Sequence, residues 1–346
     1  MRVFNTLPAE DLRQVGPVVA AYERDGYDGV VSMENRHDPF LPLAVAGVAT
    51  SRIELHTGIA IAFLRSPMSV ANMGWDLAGA TGGRFVVGLG PQVKAHNERR
   101  FSVPWSPPAP RMREYVQSLR AIWRCWKDGV PLNYVGEHYR FTLMTPNFVP
   151  EPITAPSPAI TIAAVGPAMM KVAAEECDGV KLHVFATKKY IEDSVMPAVA
   201  AGLAKAGRAR EHFEIAGGGF LCTGKDDATV QKMFDWVRMR VAFYGSTQAY
   251  WPVLAVHGLE DLGRKLNAMT REGKWAEMAK EIPDDVVHLF AAVGRHDQIA
   301  SIIGKRFGGL VDALFASANS AVPGDLPPDL IQDIRRIPIA FKRYAN

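Results

Sequence analysis

Apolar and polar stretches alternate along the chain in a strand–helix rhythm, most clearly over residues 51–90. A β-branched apolar run leads into a turn at Arg65-Ser66-Pro67, a helical pattern follows, and a second apolar run comes after Gly82-Gly83-Arg84. Such a unit predicts two neighbouring parallel strands joined by a right-handed crossover helix. Both strands end in small residues, and we expect the missing side chains to leave room for a large flat ligand: Gly58, Ala60, Ala62, Gly88 and Gly90.

The same rhythm recurs along most of the chain. Apolar runs predict eight strands, at residues 2–5, 29–32, 53–61, 85–89, 159–164, 179–184, 213–222 and 310–315. Helical periodicity fills the intervals, strongly at 111–127, and predicts a closing helix at 331–344. Eight strand–helix units predict an α/β fold of the (β/α)8 TIM barrel type. The rival, an open doubly wound sheet, would place a GxGxxG motif after the first strand, where this chain reads NTLPAED.

Two segments interrupt the alternation and predict insertions after strand four and after strand seven. Residues 130–159 contain a hairpin-like stretch at 134–141 and then a proline-rich stretch. Residues 245–280 belong to a mostly helical region between 226 and 305. Because the alternation resumes after each insertion, we interpret residues 1–346 as one barrel domain.

Composition and charge exclude several classes of protein. The net charge is only +3 and there is no Lys/Arg-rich run, which argues against a nucleic-acid partner. No apolar run approaches the roughly 18 residues of a membrane span, and the N-terminus lacks the pattern of a signal peptide. Cys125, Cys177 and Cys222 show no metal-ligand spacing, so we expect a reduced, cytoplasmic protein.

Polar residues in the loops after the predicted strands carry the candidate chemistry, because barrel sites lie at the carboxyl ends of the strands. The loop after strand two contains Glu34, His37 and Asp38, and the loop after strand four contains Gln92 and Lys94. Each loop faces either a ligand or only solvent. The sequence alone leaves both possibilities open.

His183 lies at the end of the sixth predicted strand. A histidine there is either a proton donor or ligand-orienting group, or a buried residue with a purely structural hydrogen bond. Together with His37 and Asp38 it makes too small and irregular a set to predict a metal centre. The chain also lacks the GxSxG motif of serine hydrolases.

A phosphate-binding turn is predicted after the fifth strand. The segment Ala164-Val165-Gly166-Pro167 ends a strand, turns at a glycine and begins a helix with proline at its first position. Free backbone N–H groups and the positive end of the helix dipole suit a phosphate at such a helix start. An ordinary well-capped strand–helix turn has the same sequence pattern.

These features together resemble the luciferase-like flavin barrels, most strongly the branch that uses the deazaflavin coenzyme F420. The resemblance covers nearly the whole chain. The residues that carry it are Glu34-x-x-x-Asp38-Pro39-Phe40, Thr50-x-Arg52-Ile53, Thr57-Gly58, Arg65-x-Pro67, Gly83-Arg84-Phe85-x-x-Gly88-Leu89-Gly90, Arg113-Glu114-Tyr115, Leu119-Arg120-x-Ile122-Trp123, Gly136-x-x-Tyr139-x-Phe141, Ala164-x-Gly166-Pro167, Asp178-Gly179 and Asp284-Asp285.

The resemblance implies a flavin at the carboxyl end of the barrel. A bulge at the end of strand three, often with a cis peptide, would press on the middle of the ring. The other cofactor contacts would come from the loop after strand four and from the phosphate turn. The implied cofactor-binding residues are Ile59, Ala60, Ile61, Gly88, Gly90, Gln92, Lys94, Ala164, Val165, Gly166 and Pro167.

The chain departs from the resembling family after strand two. Many relatives carry an acid–histidine pair there, whereas this chain has Glu34-Asn35. Because asparagine does not shuttle protons at neutral pH, proton transfer would fall to Glu34, His37 or His183, or would not be needed. The candidate catalytic residues are therefore Glu34, Asn35 and His183.

The resemblance implies an F420-dependent oxidoreductase that transfers hydride between the deazaflavin and a small organic substrate. One alternative is a monooxygenase that uses reduced FMN and oxygen. A second is a barrel that binds a flavin without turnover. The resemblance also implies a homodimer.

Overall fold

In the computed structural model, which describes residues 1–317 and 326–345, eight parallel strands close into a barrel. The strands are β1 (Arg2–Thr6), β2 (Gly29–Ser32), β3 (Glu54–Thr57), β4 (Ala60–Ile61), β5 (Phe85–Gly90), β6 (Tyr134–Val135), β7 (Arg140–Phe141), β8 (Ala159–Ala164), β9 (Gly179–Leu182), β10 (Glu214–Ala216), β11 (Phe220–Gly224), β12 (Ala291–Arg295) and β13 (Ala313–Phe315).

The helices cover the outside of the barrel and build its insertions. They are α1 (Leu12–Asp25), α2 (Phe40–Ala49), α3 (Pro67–Thr81), α4 (Lys94–Arg100), α5 (Pro108–Asp128), α6 (Pro167–Glu176), α7 (Lys188–Tyr190), α8 (Met196–Lys205), α9 (Asp227–Gly245), α10 (Trp251–Ala255), α11 (Glu260–Arg271), α12 (Asp284–Phe290), α13 (His296–Phe307) and α14 (Pro328–Arg335). A π-helical segment, Ile191–Val195, joins α7 to α8.

The barrel order confirms the predicted TIM fold. Around the ring the strands run β1, β2, β3, β5, β8, β9, β10 and β13, and β13 pairs with β1. The two-residue strand β4 continues the third strand after a cis peptide bond between Gly58 and Ile59, and it pairs with β5. The predicted strand at 53–61 is therefore broken in two.

The seventh predicted strand, at 213–222, is wrong as one element. Only β10 belongs to the barrel, and β11 pairs instead with β12 in a separate two-stranded parallel sheet. Gly217, Gly218 and Gly219 separate the two strands with φ values of 94°, 121° and 152°. Backbone in this region favours glycine, so the three glycines let the chain leave the barrel.

The region 226–305 is mostly helical, as predicted, and also contains the strand β12. Two further expectations need correction. The closing helix predicted at 331–344 is α14, which ends at Arg335. The loop after strand four includes the short helix α4.

The first predicted insertion contains the expected hairpin, in which β6 pairs antiparallel with β7. The Glu114 carboxylate holds it against α5 by accepting the backbone N–H groups of Glu137 (2.9 Å), His138 (2.7 Å) and Tyr139 (3.2 Å). These three N–H groups occupy the Glu114 carboxylate, which would otherwise form a metal-sized cluster with the side chains of Glu137 and His138.

A buried polar network closes the amino end of the barrel. Arg2 and Glu214, near the starts of β1 and β10, are joined at 2.5 Å, and Arg2 also contacts Glu54 at 2.6 Å. The Tyr344 hydroxyl donates to the second Glu214 oxygen at 2.8 Å. Because this end is filled, a ligand has to enter from the carboxyl ends of the strands.

None of the helices within the described ranges combines the length and hydrophobicity needed to cross a bilayer.

Candidate active site

The bulge at the end of the third strand is held by the loop that follows β2. The Glu34 carboxylate accepts the backbone N–H of Ile61 at 2.6 Å and a guanidinium N–H of Arg65 at 2.7 Å. Arg65 also donates to the Ile61 carbonyl at 3.2 Å. The carboxylate therefore joins two loops and fixes the backbone beside the cis bond, which makes Glu34 a positioning residue in this geometry.

Arg65 is the partner that makes this arrangement rigid. Its second nitrogen donates to Asp38 at 2.8 Å, and its backbone carbonyl accepts the Tyr115 hydroxyl at 3.1 Å. Burial alone would lower the pKa of Arg65, but its hydrogen bonds to Glu34 and Asp38 raise it above the ordinary value. The guanidinium stays charged, and charge-assisted hydrogen bonds of this kind are strong.

The two glycines of β5 have a different use from the one predicted. A Cβ on Gly88 would lie 1.9 Å from the Thr57 carbonyl oxygen and 2.7 Å from the Lys181 side chain. A Cβ on Gly90 would lie 2.7 Å from the Ile59 side chain. The expectation of open space beside Gly88 and Gly90 is therefore wrong, because neighbouring protein atoms fill it. The glycines let the bulge approach β5 closely, so Ile59 packs directly against the end of that strand.

The predicted phosphate turn has open space beside it. Gly166 precedes α6, and a Cβ built on it would meet no atom within 4 Å. No side-chain hydrogen bond caps the helix start, and the first turn contributes no carboxylate that would compete for the N–H groups there. The Tyr190 hydroxyl fixes the turn by donating to the Val165 carbonyl. This is the environment that a phosphate group requires.

His183 lies directly after β9, beside this turn, because Leu182 pairs with Ala164 across the strands. Its Nδ1 accepts the backbone N–H of Phe185 at 3.0 Å. Burial, with the charge of Arg240 as the second cause, lowers the pKa of His183 to about 3. The ring is therefore neutral at pH 7 with its proton on Nε2. Nε2–H is therefore the hydrogen-bond donor of this ring, and a neutral imidazole is not a cationic proton donor.

Two tyrosines that the sequence analysis missed enclose His183. The Tyr250 ring stacks on the imidazole at 4.5 Å between centroids, and the Tyr244 ring meets it edge-on at 4.4 Å. Phe185 contacts both tyrosines, at 6.2 Å and 5.9 Å. We call His183, Phe185, Tyr244 and Tyr250 the aromatic cluster. The available signal was a concentration of aromatic residues in α9 and at the start of the second predicted insertion.

The remaining predicted residues lie farther out. Asn35 is exposed, its side-chain amide points to the Met33 sulfur at 3.9 Å, and its carbonyl accepts Arg100. Gln92 has a φ of 57° and accepts the N–H of the next residue at 2.8 Å. Lys94 is 63% exposed. The structure thus brings Glu34 together with the bulge and the end of β5, and it places the phosphate turn beside His183. Asn35, Gln92 and Lys94 lie toward the rim.

A model of the luciferase-like monooxygenase family matches residues 2–312, which is most of the chain. The chain belongs to this family. An uncharacterized protein of Mycobacterium tuberculosis (strain H37Rv) is 46% identical over 312 residues, covering 90% of this chain and 92% of that protein.

Two further family relatives are similar to the chain. A 5,10-methylenetetrahydromethanopterin reductase of Archaeoglobus fulgidus is 29% identical over 286 residues, covering 81% of each chain. The solved structure of the coenzyme F420-dependent tetrahydromethanopterin reductase of Methanopyrus kandleri superposes with a TM-score of 0.75 at 20% identity, covering 97% of each chain. The structural match confirms the barrel.

Proposed function

We propose that this luciferase-like protein is an oxidoreductase that binds F420 and uses it for hydride transfer to or from a small organic substrate. The observation that carries the proposal is the open, uncapped start of α6 at Gly166, which is separated by one strand, β5, from the bulge that contains β4. The relatives from Archaeoglobus and Methanopyrus support this choice, since both are reductases by name and the second is named as F420-dependent.

The residues present fit a flavin with a phosphate on its side chain. The N–H groups at the start of α6 and the space beside Gly166 would hold the phosphate. Ile59, Ala60 and Ile61 would contact the ring, with Gly88 and Gly90 supporting them from β5. Gln92 and Lys94 would contact the cofactor from the rim. When bound, the deazaflavin would supply a carbon centre that takes up or gives up hydride.

The chain itself supplies position and hydrogen bonding. The Glu34–Arg65 pair fixes the bulge, so the backbone from Ile59 to Ile61 keeps one shape while ligands enter and leave. His183, neutral at pH 7, offers Nε2–H to a polar atom of the substrate. Orienting the reactants in this way lowers the barrier without a charged acid or base. The exposed Asn35 takes no part in proton transfer.

A reduced-FMN monooxygenase is the second candidate, because the matching family is described as luciferase-like monooxygenase. Titration of the purified protein with F420 and with FMN, each followed by cofactor fluorescence, separates the two. We expect F420 to bind at least tenfold more tightly. A preference for FMN of the same size would contradict the proposal.

Turnover distinguishes an enzyme from a barrel that only holds its ligand. Reduced F420 is mixed with the protein under anaerobic conditions and with a panel of small ketones, aldehydes and imines. We expect at least one of them to oxidise the cofactor only when the protein is present. Tight binding of F420 with no oxidation by any candidate would favour the non-catalytic alternative.

A further inference from the structure

Arg240 is a half-buried cation that lacks an acidic partner among residues 1–317 and 326–345. Its guanidinium lies over the rings of Tyr244 (4.7 Å), Phe243 (5.2 Å) and Trp236 (5.8 Å), and it donates to the Tyr244 hydroxyl. Aromatic faces attract a cation but do not neutralise it. A charge that is partly removed from water is costly unless a counter-charge pairs with it.

Several half-buried arginines of this chain pair with a carboxylate, whereas Arg84, Arg111 and Arg306 donate to carbonyl or hydroxyl oxygens instead. Arg238, two residues earlier on α9, pairs with Asp284, and Arg65 pairs with Glu34 and Asp38. Arg113, on α5, pairs with two glutamates. Arg238 and Arg240 lie two residues apart on one helix and both lie over aromatic rings, but of the two it is Arg238 that forms a salt bridge within the described residues.

The position of Arg240 connects it to the candidate active site. It contacts Tyr244, which in turn meets the His183 ring at 4.4 Å, and His183 follows β9 at the carboxyl end of the barrel. The charge of Arg240 lies close enough to act on the imidazole. Arg240 therefore contacts the aromatic cluster through Tyr244. The phosphate turn follows β8, the strand that pairs with β9, and His183 follows β9.

Two polar groups at this cluster are donors. His183 uses Nδ1 as an acceptor, so its ring offers Nε2–H, and Arg240 offers the N–H groups that Tyr244 does not use. The aromatic cluster supplies flat apolar walls. A molecule that satisfies both features is flat and carries a group of negatively charged oxygens.

We infer that Arg240 binds the carboxylate or phosphate group of an anionic substrate whose flat portion packs against the aromatic cluster. This rests on the proposed function, since it assigns the substrate class of the same site. Arg240 becomes a specificity-determining residue that selects anions over neutral molecules of equal shape. Charge-assisted hydrogen bonds to an arginine are strong enough for a selection of about tenfold.

The test uses three probes of similar shape, benzoate, phenyl phosphate and neutral benzamide. Their binding is measured by calorimetry on the full chain, with and without F420. We expect the wild-type protein to bind one or both anions at least tenfold more tightly than benzamide. Arg240→Met should remove that preference, and Arg240→Lys should keep part of it.

A matched control is Arg264→Met on α11, because Arg264 is 59% exposed and pairs with Asp261 on the surface. It should retain the wild-type preference. A thermal melt of each variant checks that it is folded, and Arg240→Lys keeps the test informative if Arg240→Met is unstable. Equal binding of anions and benzamide by the wild type would overturn the inference, as would an unchanged preference in both Arg240 variants.

The same variants show whether the anionic group belongs to the cofactor instead. Arg240→Met should leave the F420 dissociation constant within about twofold of the wild type. A tenfold increase would assign Arg240 to the cofactor and overturn the substrate inference. If the wild type binds no F420 but still prefers anions through Arg240, the cofactor proposal fails and the anion site stands.

Discussion

The carboxylate of Glu34 lies 2.6 Å from the backbone nitrogen of Ile61, although 27 residues separate them in sequence. One side chain from the loop after β2 thereby fixes the segment where the third strand breaks. The resemblance suggested a catalytic group at this position. The geometry gives Glu34 the task of holding backbone that would contact the cofactor.

Glu34→Gln should therefore weaken cofactor binding. The amide keeps the shape of the side chain but loses the charge that Arg65 and the Ile61 N–H share, at a cost of about 1–3 kcal/mol. We expect the F420 dissociation constant to rise about tenfold, with a lower melting temperature. Glu272→Gln is the control, because Glu272 is 54% exposed and pairs with Lys274 at the surface. Wild-type affinity in Glu34→Gln would show that the bulge does not depend on this carboxylate.

The low pKa of His183 makes the free energy of unfolding depend on pH. The folded-state pKa is about 3 against an ordinary 6.5, so between these values the unfolded chain binds a proton that the folded chain does not. Stability is unaffected above pH 6.5 and falls as the pH drops from 6.5 toward 3. His183→Asn, which keeps an acceptor for the Phe185 N–H, should reduce this loss.

Urea unfolding at pH 7.5 and pH 5.0 measures the difference. We expect the wild type to lose about 1–2 kcal/mol more than His183→Asn over this interval. His37→Asn is the control, since His37 is exposed. An identical pH dependence in wild type and His183→Asn would mean that the imidazole titrates normally.

Tyr344→Phe should destabilise the amino end of the barrel. The Glu214 side chain is buried, and one of its oxygens accepts the Tyr344 hydroxyl at 2.8 Å. Without the hydroxyl, that oxygen is left unsatisfied, which costs about 1–3 kcal/mol. Urea unfolding checks this, with Tyr134→Phe as the control because its hydroxyl bonds to Gln117 nearer the surface. A smaller loss of unfolding free energy in Tyr344→Phe than in Tyr134→Phe would contradict a stabilising role for this network.

The homodimer stays a prediction, and α2 offers a face for it. Leu41 is 57% exposed and Val48 79% exposed, seven residues apart and therefore on one side of the helix. We expect a dimer by light scattering, and a monomer for the double variant Leu41→Glu, Val48→Glu. Val135→Glu, at an exposed hairpin position, should stay dimeric. A wild-type monomer would contradict the expectation.

The sequence predicted the barrel because most of its strands are short buried runs with clear ends. The predicted strand at 29–32 coincides with β2, and 159–164 coincides with β8. The seventh strand failed because Phe213 to Cys222 contains a single charged residue, Glu214, and a largely apolar run does not tell which sheet it joins. The missed signal was the triplet Gly217-Gly218-Gly219, whose backbone turns the chain away.

The candidate site was predicted less completely. The turn at Gly166 can be predicted from a short sequence pattern, in which a strand is followed by a glycine and then by a helix that begins with proline. The partners of Glu34 and His183 depend on long-range contacts that no local pattern contains. Arg65 and Tyr115 are 50 residues apart and meet through one hydrogen bond. Gly88 was misinterpreted because a missing side chain leaves space either for a ligand or for a neighbouring strand.

The most direct test of the account is the F420 dissociation constant of Gly166→Asp compared with that of Gly166→Ala. Gly166 has a φ of −83° and open space around the position of a Cβ, so alanine is tolerated there, whereas aspartate adds a negative charge beside the proposed phosphate. We expect Gly166→Ala to bind F420 within about twofold of the wild type and Gly166→Asp to bind at least tenfold more weakly. Equal affinity in the two variants would contradict the phosphate site and the orientation of the cofactor that depends on it.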